Sequence, residues 1–372
     1  MRILLLNQFV PPEGAPTARL LGDLASHFRE AGHEVALIGA TQGYRQSGGG
    51  LRARLLRDLK AHVMLAWRTL MAGRADWILC LSDPPGLPFT AYLLAKLKRA
   101  RLAHWAMDVY PEVAIALGAL PSGLPSQCIR WAMRHGYRAS NVLVALDEDM
   151  ADRIRSGRMD IVKVCPPWPP LPHAIPTPCE SLAKLKQIHP GARIWLYSGN
   201  LGRAHEFESL LHAQSLLEQT GENWHLVFQG GGPCRIEAQT RATEMGLRNC
   251  HWLPYAEDAE FIDSLNAADV LVATQKLSTQ GMLWPSKLAL MMLMNRPIAW
   301  IGPLNGSISQ TVSRKGDESA AFSPDDGEAI VQWLRTVPGS KPPVDWHTLA
   351  EQTDTVRIHG QRQWLEWMCN RD

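Results

Sequence analysis

Short runs of residues that are apolar on every side chain recur along this chain and alternate with longer segments of helical spacing. In the first half the runs are Ile3–Leu6, Val35–Ile38, Trp77–Leu81, Leu102–Ala106, Val142–Ala145 and Ile161–Val164. A strand with no polar face must be covered on both sides, which is the condition of a parallel sheet between helices. Thr17–Ala31, Leu51–Met71, Leu87–Arg99 and Leu124–Arg138 supply the intervening helices. Strand and helix in alternation predict right-handed crossovers and a doubly wound α/β fold.

The pattern then breaks at CPPWPPLPHAIPTP, residues 165–178, which cannot continue a helix or a central strand and reads as a stiff interdomain linker. Beyond it the alternation resumes. The expected strands are Arg193–Tyr197, His225–Gln229, Cys250–Leu253, Val270–Ala273 and Ile298–Ile301. The expected helices are Phe207–Leu217, Arg235–Met245, Asp258–Asn266, Ser286–Met294 and a tail helix, Trp346–Cys369. A length of 372 residues suits two such domains, and two α/β halves on a hinge predict a ligand cleft between them.

Composition narrows the function classes. The net charge of +2 is too balanced for a protein that coats nucleic acid. The longest apolar runs, such as Leu288 to Met294, fall far short of the about twenty residues of a membrane span. MRILLLNQF reads as a buried strand and not a signal peptide. Seven cysteines, scattered and never in C-x-x-C spacing, predict neither disulfides nor a zinc site and suit a reducing cytoplasm. Thirteen histidines without an H-E-x-x-H pair add no expected metal site. The charge is nevertheless uneven: residues 1–168 carry 21 Lys and Arg against 14 Asp and Glu, and residues 169–372 carry 17 against 22. The basic excess peaks between Arg52 and Arg74, interleaved with Leu55, Leu56, Leu59, Val63 and Trp67, a pattern for a helix lying on an anionic membrane surface or packing its apolar side on a sheet.

Candidate site residues follow the expected strands, at the carboxyl ends where open α/β sheets bind ligands. After the first strand, Gly14 and Ala15 permit close approach and the helix start at Thr17 offers amides to an anion. The loop lacks G-x-G-x-x-G, which disfavours a dinucleotide enzyme. After the fourth strand, Asp108 and Glu112 are carboxylates able to orient or deprotonate a hydroxyl. In the second half, Ser198, Gly199, Arg203 and His205 combine small residues, a cation and an imidazole before a helix, a setting for a diphosphate. Gly231 lies in a triple-glycine turn, and Pro254 and Tyr255 border a strand end suited to a flat base. Gly281, Met282, Ser286 and Lys287 open a further helix, with Pro285 in its first turn and an ammonium charge for the same anion.

Together the stretches ILLLNQFVPPEGAPTARL, MDVYPE, YSGNLGRAHEF, GGGP, LPY, AADVLVA and PSK…NRPIAWIGP resemble the GT-B glycosyltransferases of family 4, closest to the branch that builds bacterial surface polysaccharide and lipid-linked glycans. The resemblance implies two Rossmann-like domains facing a cleft. Residues 1–168 would bind acceptor, 169–345 would bind nucleotide-sugar, and 346–372 would form a helix returning to the first domain. It implies a metal-independent retaining hexosyl transfer from a UDP- or GDP-linked sugar to a hydroxyl of a glycan or polyprenyl-linked acceptor. No cofactor is expected, and the setting is cytoplasmic or peripheral on the inner membrane face. By position, Gly14 and Ala15 would face donor phosphates and acceptor, and Asp108 the acceptor hydroxyl. Ser198, Gly199, Arg203 and Lys287 would hold the diphosphate, with His205 nearby. Pro254 and Tyr255 would border the base, and Gly281 and Met282 the sugar. The family's Glu-x7-Glu motif is absent: Met282 and Leu290 stand at its two positions. Gln280 and Ser307 stand where related chains often carry an acid. A nucleotide-sugar epimerase of the same fold and a nucleotide-sugar-binding homologue with weakened catalysis are the alternatives.

Overall fold

A computed structural model describes residues 1–40, 51–155, 162–169, 176–316, 318–339 and 341–369. The chain divides into two compact units. The first comprises Met1–Pro170, Gly281–Trp284 and Val356–Asp372, and the second Leu171–Gln280 and Pro285–Thr355.

The first unit runs β1 (Arg2–Leu6), α1 (Pro16–Glu30), β2 (Glu34–Ile38), α2 (Leu51–Met71), β3 (Trp77–Cys80), α3 (Leu87–Lys98), β4 (Arg101–Trp105), α4 (Glu112–Ala116), α5 (Leu124–Ala139), β5 (Val142–Ala145), α6 (Glu148–Ile154) and β6 (Lys163–Val164). All its strand pairs are parallel, in the order β2-β1-β3-β4-β5-β6. The apolar runs become strands because both faces are needed. Ile3 and Leu5 pack in one core layer with α1, and Leu4 and Leu6 pack in another with α3.

The second unit repeats the plan with α7 (Glu180–Ile188), β7 (Arg193–Ser198), α8 (Glu208–Gln219), β8 (Trp224–Gln229), α9 (Arg235–Glu244), β9 (Cys250–Leu253), α10 (Phe261–Ala267), β10 (Val270–Thr274), α11 (Lys287–Met291), β11 (Ile298–Ile301), α12 (Ser307–Lys315), β12 (Ala320–Phe322) and α13 (Gly327–Thr336). Its parallel order is β12-β11-β10-β7-β8-β9.

The proline segment departs from the linker reading at its start. Trp168 is fully buried, donates its indole N–H to Asp23 at 3.0 Å and packs on Trp105 with ring centroids 5.2 Å apart. Cys165 to Trp168 therefore belongs to the first unit's core. The last helix, α14 (Trp346–Cys369), completes that core from Val356 onward: Trp364 is fully buried 5.3 Å from Trp105.

Each sheet reverses its strand order once. In the first, β1 is followed by β2 on one side and β3 on the other. In the second, β7 is followed by β8 on one side, and β10 returns on the other. The loops leaving the strands on either side of a reversal diverge, so a crevice opens at their carboxyl ends.

Candidate functional site

The second unit's reversal brings together the loops after β7 and β10. His205 shares a 2.9 Å hydrogen bond with the Thr274 carbonyl through Nδ1, and the Glu206 amide donates to Thr274 Oγ1 at 3.1 Å. The Lys276 amide donates to the Ala204 carbonyl at 2.8 Å. Into this junction projects Lys287 at the start of α11. Its ammonium nitrogen lies 3.2 Å from the centroid of the Tyr197 ring. A Cβ built on Gly199 would sit 3.7 Å from the same nitrogen. The lysine is half-buried as a residue, but Nζ itself is withdrawn from solvent and has no hydrogen-bond partner. Burial drives its pKa well below the usual ammonium range. His205 is pushed down to about 3, first by burial and then by the Lys287 charge, so its ring is neutral. A lysine nitrogen out of water, resting on a ring face and with no hydrogen-bond partner, can donate to an incoming anion, whose negative charge would raise its depressed pKa.

Three glycines press the neighbouring loops together. A Cβ on Gly230, whose φ is +137°, would meet the Gly199 carbonyl oxygen at 2.2 Å. One on Gly232 would meet the Leu201 backbone at 2.5 Å. One on Gly231 would touch the Tyr255 ring at 3.0 Å, so Tyr255 lies on the glycine turn with its outer face exposed. Arg235 holds the turn from below, donating to the Gly230 carbonyl and to the Leu253 carbonyl at 2.7 Å. Gly230→Ala should therefore cost about 2–3 kcal/mol of stability in chemical denaturation, from overpacking and a strained φ. Gly14→Ala, with nothing within 4 Å of the new methyl, should be near neutral.

Other expectations for this unit change. The Ser198 hydroxyl donates to buried Gln229 at 3.2 Å, so it braces the sheet and is not free for a phosphate. The Gly199 amide donates to the Gln229 carbonyl at 2.8 Å. Gly199 contributes the absence of a side chain beside Lys287, not a donor. The helix expected at Phe207–Leu217 starts at Glu208, and the Glu206 carboxylate accepts from the Glu208 and Ser209 amides at 2.8 and 3.3 Å. That helix N-terminus already has its anion, so its dipole is not available to a ligand. Helix α11 has five residues, too short to carry the helix-dipole reading, and Ser286 is exposed at its start. The positive group at the junction is the Lys287 side chain, while Arg203 lies exposed in the loop after β7.

In the first unit the reversal joins the loops after β1 and β3, where the Gln8 amide donates to the Asp83 carbonyl at 2.9 Å. Asp83 lies outside the sequence reading; its signal is an acid two residues after the third apolar run, Trp77–Leu81. Asp108 follows the adjacent strand, with Ser82 Oγ accepting from the amides of Met107 and Asp108 at 2.9 and 3.3 Å. Burial, and then the Asp83 carboxylate, push Asp108 up toward neutrality. Burial, and then Asp58, raise Asp83. Two like charges out of water favour sharing one proton. Gly281 and Met282 are grouped with this unit. The Val109 amide donates to the Met282 carbonyl at 2.8 Å, and a Cβ on Gly281 would meet the Asp149 carbonyl carbon at 2.9 Å. They thus frame the Asp108 loop. Glu112 is held by Arg130 at 2.7 Å and is not an unpaired acid. Gly14 is open, whereas the Ala15 methyl is buried against Phe9 and Ala18. Helix α1 has no side-chain cap and no acid in its first turn, which leaves its start open to an anion.

Residues 181–282 match the family model described as glycosyl transferases group 1. The "Putative colanic acid biosynthesis glycosyl transferase WcaI" of Escherichia coli (strain K12) is 24% identical over 251 residues, 65% of this chain and 61% of that protein. The "Probable glycosyltransferase WbjE" of Pseudomonas aeruginosa is 24% identical over 252 residues, 67% of this chain and 62% of its own. The match thus spans about three fifths of the length of each curated relative. The crystal structure of HepE from Anabaena in complex with UDP and glucose superposes with a TM-score of 0.66 at 16% identity, covering 98% of both chains. In fold the chain is a GT-B protein of two Rossmann-like units, and its similarity to the glycosyl transferases group 1 family runs through the segment that carries the Tyr197, Gly199 and Gly230–Gly232 loops.

Proposed function

We propose that the protein is a retaining glycosyltransferase that moves a sugar from a nucleoside diphosphate donor to a hydroxyl of a glycan acceptor in bacterial surface polysaccharide synthesis. The observation that carries this reading is the solvent-excluded Lys287 nitrogen, seated on the Tyr197 ring without a hydrogen-bond partner, at the strand-order reversal of the second unit. A relative of this fold has been crystallised with UDP, which supports a nucleoside diphosphate as the ligand of that crevice.

The second unit takes the donor in this reading. Tyr255, on its glycine turn, offers a flat surface for the base, and Lys287 and Arg203 take the diphosphate. Cleavage at the anomeric carbon moves an electron pair onto the leaving diphosphate oxygen, and two cations in a partly dry crevice stabilise that charge. The acceptor oxygen bonds to the anomeric carbon on the face the leaving group vacates, and a donor phosphate oxygen takes its proton. The first unit takes the acceptor, with Asp108 orienting its hydroxyl. The test is acceptor-dependent release of nucleoside diphosphate from UDP- or GDP-sugars. An altered sugar without any acceptor would instead identify an epimerase.

The acceptor is a lipid-linked glycan in this reading, reached by docking on an anionic membrane. Among the described residues no helix is long and apolar enough to cross a membrane. Helix α2 buries one face through Ala61, Leu65 and Thr69, yet its other face leaves Leu56 68% exposed, Trp67 60% and Met71 71%, with Leu59 and Val63 between them. A second apolar stripe beside Lys60 has the character of an interfacial helix. Flotation with phosphatidylglycerol vesicles at low salt should recover the protein. Trp67→Glu should reduce recovery about 10-fold, the effect of one large apolar group withdrawn from the interface. Equal flotation of the variant would end the docking assignment.

A further inference from the structure

Three histidines from separate segments meet at the amino-terminal side of the second sheet, away from the strand ends that hold Lys287. His225 is the second residue of β8, His251 the second of the edge strand β9, and His189 follows the last turn of α7. One ligand nitrogen from each lies within 4.8 Å of the others. His225 Nδ1 and His251 Nε2 are 2.9 Å apart with the rings stacked at 4°, and the His189 and His225 ring centroids are 4.6 Å apart.

The protonation of this cluster is fixed from behind. Asn223 Nδ2 donates to the Pro190 carbonyl at 3.2 Å, which turns its Oδ1 toward His225 Nε2 at 3.0 Å. His225 therefore carries its proton on Nε2 and aims the Nδ1 lone pair at His251. An amide or carboxylate oxygen that fixes the tautomer of a ligating imidazole is the usual outer support of a metal site. Pro190 directly follows His189, so the same asparagine also ties down the turn that carries the third ring.

We infer that His189, His225 and His251 form a binding site for a divalent first-row transition ion, Zn2+ in the first instance, that fastens the edge strand β9 to the end of α7. Three nitrogen donors with no carboxylate or carbonyl in the set disfavour Ca2+ and Mg2+. Tetrahedral coordination at 2.0–2.1 Å requires ligand nitrogens about 3.3 Å apart, so the His225–His251 pair opens by about 0.4 Å, and water takes the fourth position. No proton is lost. The His251 proton that bridges the pair moves to its own Nδ1, and both facing nitrogens then bond the ion.

The site stands independently of the glycosyltransferase reading. The test is calorimetric titration of zinc chloride into the full, untagged, chelator-treated chain. One ion per chain at sub-micromolar affinity is expected, with a raised melting temperature and no heat from Ca2+ or Mg2+. His251→Gln should weaken binding at least about 100-fold, and Asn223→Ala about 10-fold through loss of the tautomer lock. Should a variant of the buried rings fail to fold, His189→Gln, on the half-exposed ring, carries the same expectation. X-ray absorption at the zinc edge should give three nitrogens near about 2.0 Å. Absence of tight binding, or equal affinity in His251→Gln and His189→Gln, would overturn the assignment.

Discussion

Lys287→Ala should lower sugar transfer by about 100- to 1,000-fold, the range seen when one preorganised group facing a developing anion is removed. The fold should not suffer. A lysine whose folded pKa is depressed by burial below its unfolded value costs stability at neutral pH, and the penalty fades as pH rises toward the ordinary ammonium value. Lys287→Met, which fills the same space without the amine, should therefore melt above the wild type while being as inactive as the alanine variant. Differential scanning calorimetry beside turnover separates the two effects. A lysine serving the fold would lose stability and activity together, whereas one reserved for a ligand gains the first as it loses the second.

Asp108→Asn is expected to have the second largest effect, and it should depend on pH. The folded pKa values of Asp108 and Asp83 are raised above the unfolded carboxylate value. The stability this confers is fully present below the unfolded pKa and is lost as pH rises through the folded values. Asparagine cannot ionise, so Asp108→Asn should raise the melting temperature at about pH 8, on the order of a few degrees, and leave it nearly unchanged at about pH 4. Transfer to acceptor should fall about 100-fold, as expected for loss of a group that orients or deprotonates the attacking hydroxyl. Affinity for the nucleoside diphosphate should stay at the wild-type level. Destabilisation at both pH values would mean that Asp108 is part of the framework and not of the acceptor site.

The fold was legible wherever one residue pattern admitted one environment. Short apolar runs of four residues rich in β-branched side chains, such as Val142–Ala145 and Ile298–Ile301, favour a covered strand, and both coincide with the observed strands. Elements without that signature went unread. Strand β12 has three residues at the sheet edge, and α4, α6, α7, α12 and α13 are short or carry many polar residues. Lys287 was legible as a cation after a strand, but its seat on Tyr197 was not, because that contact depends on β7 and β10 being neighbours. Asp83 was missed for the same reason: its importance comes from Gln8 and Asp108 at adjacent strand ends. Helix α8 starts within one residue of its expected place, but its amides are not free for a ligand, since Glu206 reads as an ordinary acid until its carboxylate caps them. The absence of C-x-x-C and H-E-x-x-H excludes metal sites built on one segment only. Three histidines on a helix end and two strands lie outside any such spacing rule.

The central claim is that the crevice around Lys287 and Gly199 receives a diphosphate. Isothermal titration of UDP and of GDP into the wild type and into Lys287→Ala, each in two buffers of different ionisation enthalpy, tests it most directly. The account predicts that one of the two nucleotides binds the wild type with an enthalpy that shifts between buffers in the direction of proton uptake, as the diphosphate raises the depressed pKa of Lys287. It predicts that Lys287→Ala binds at least about 10-fold more weakly with no such shift. Binding of equal strength to both proteins, or of neither nucleotide to the wild type, would contradict it.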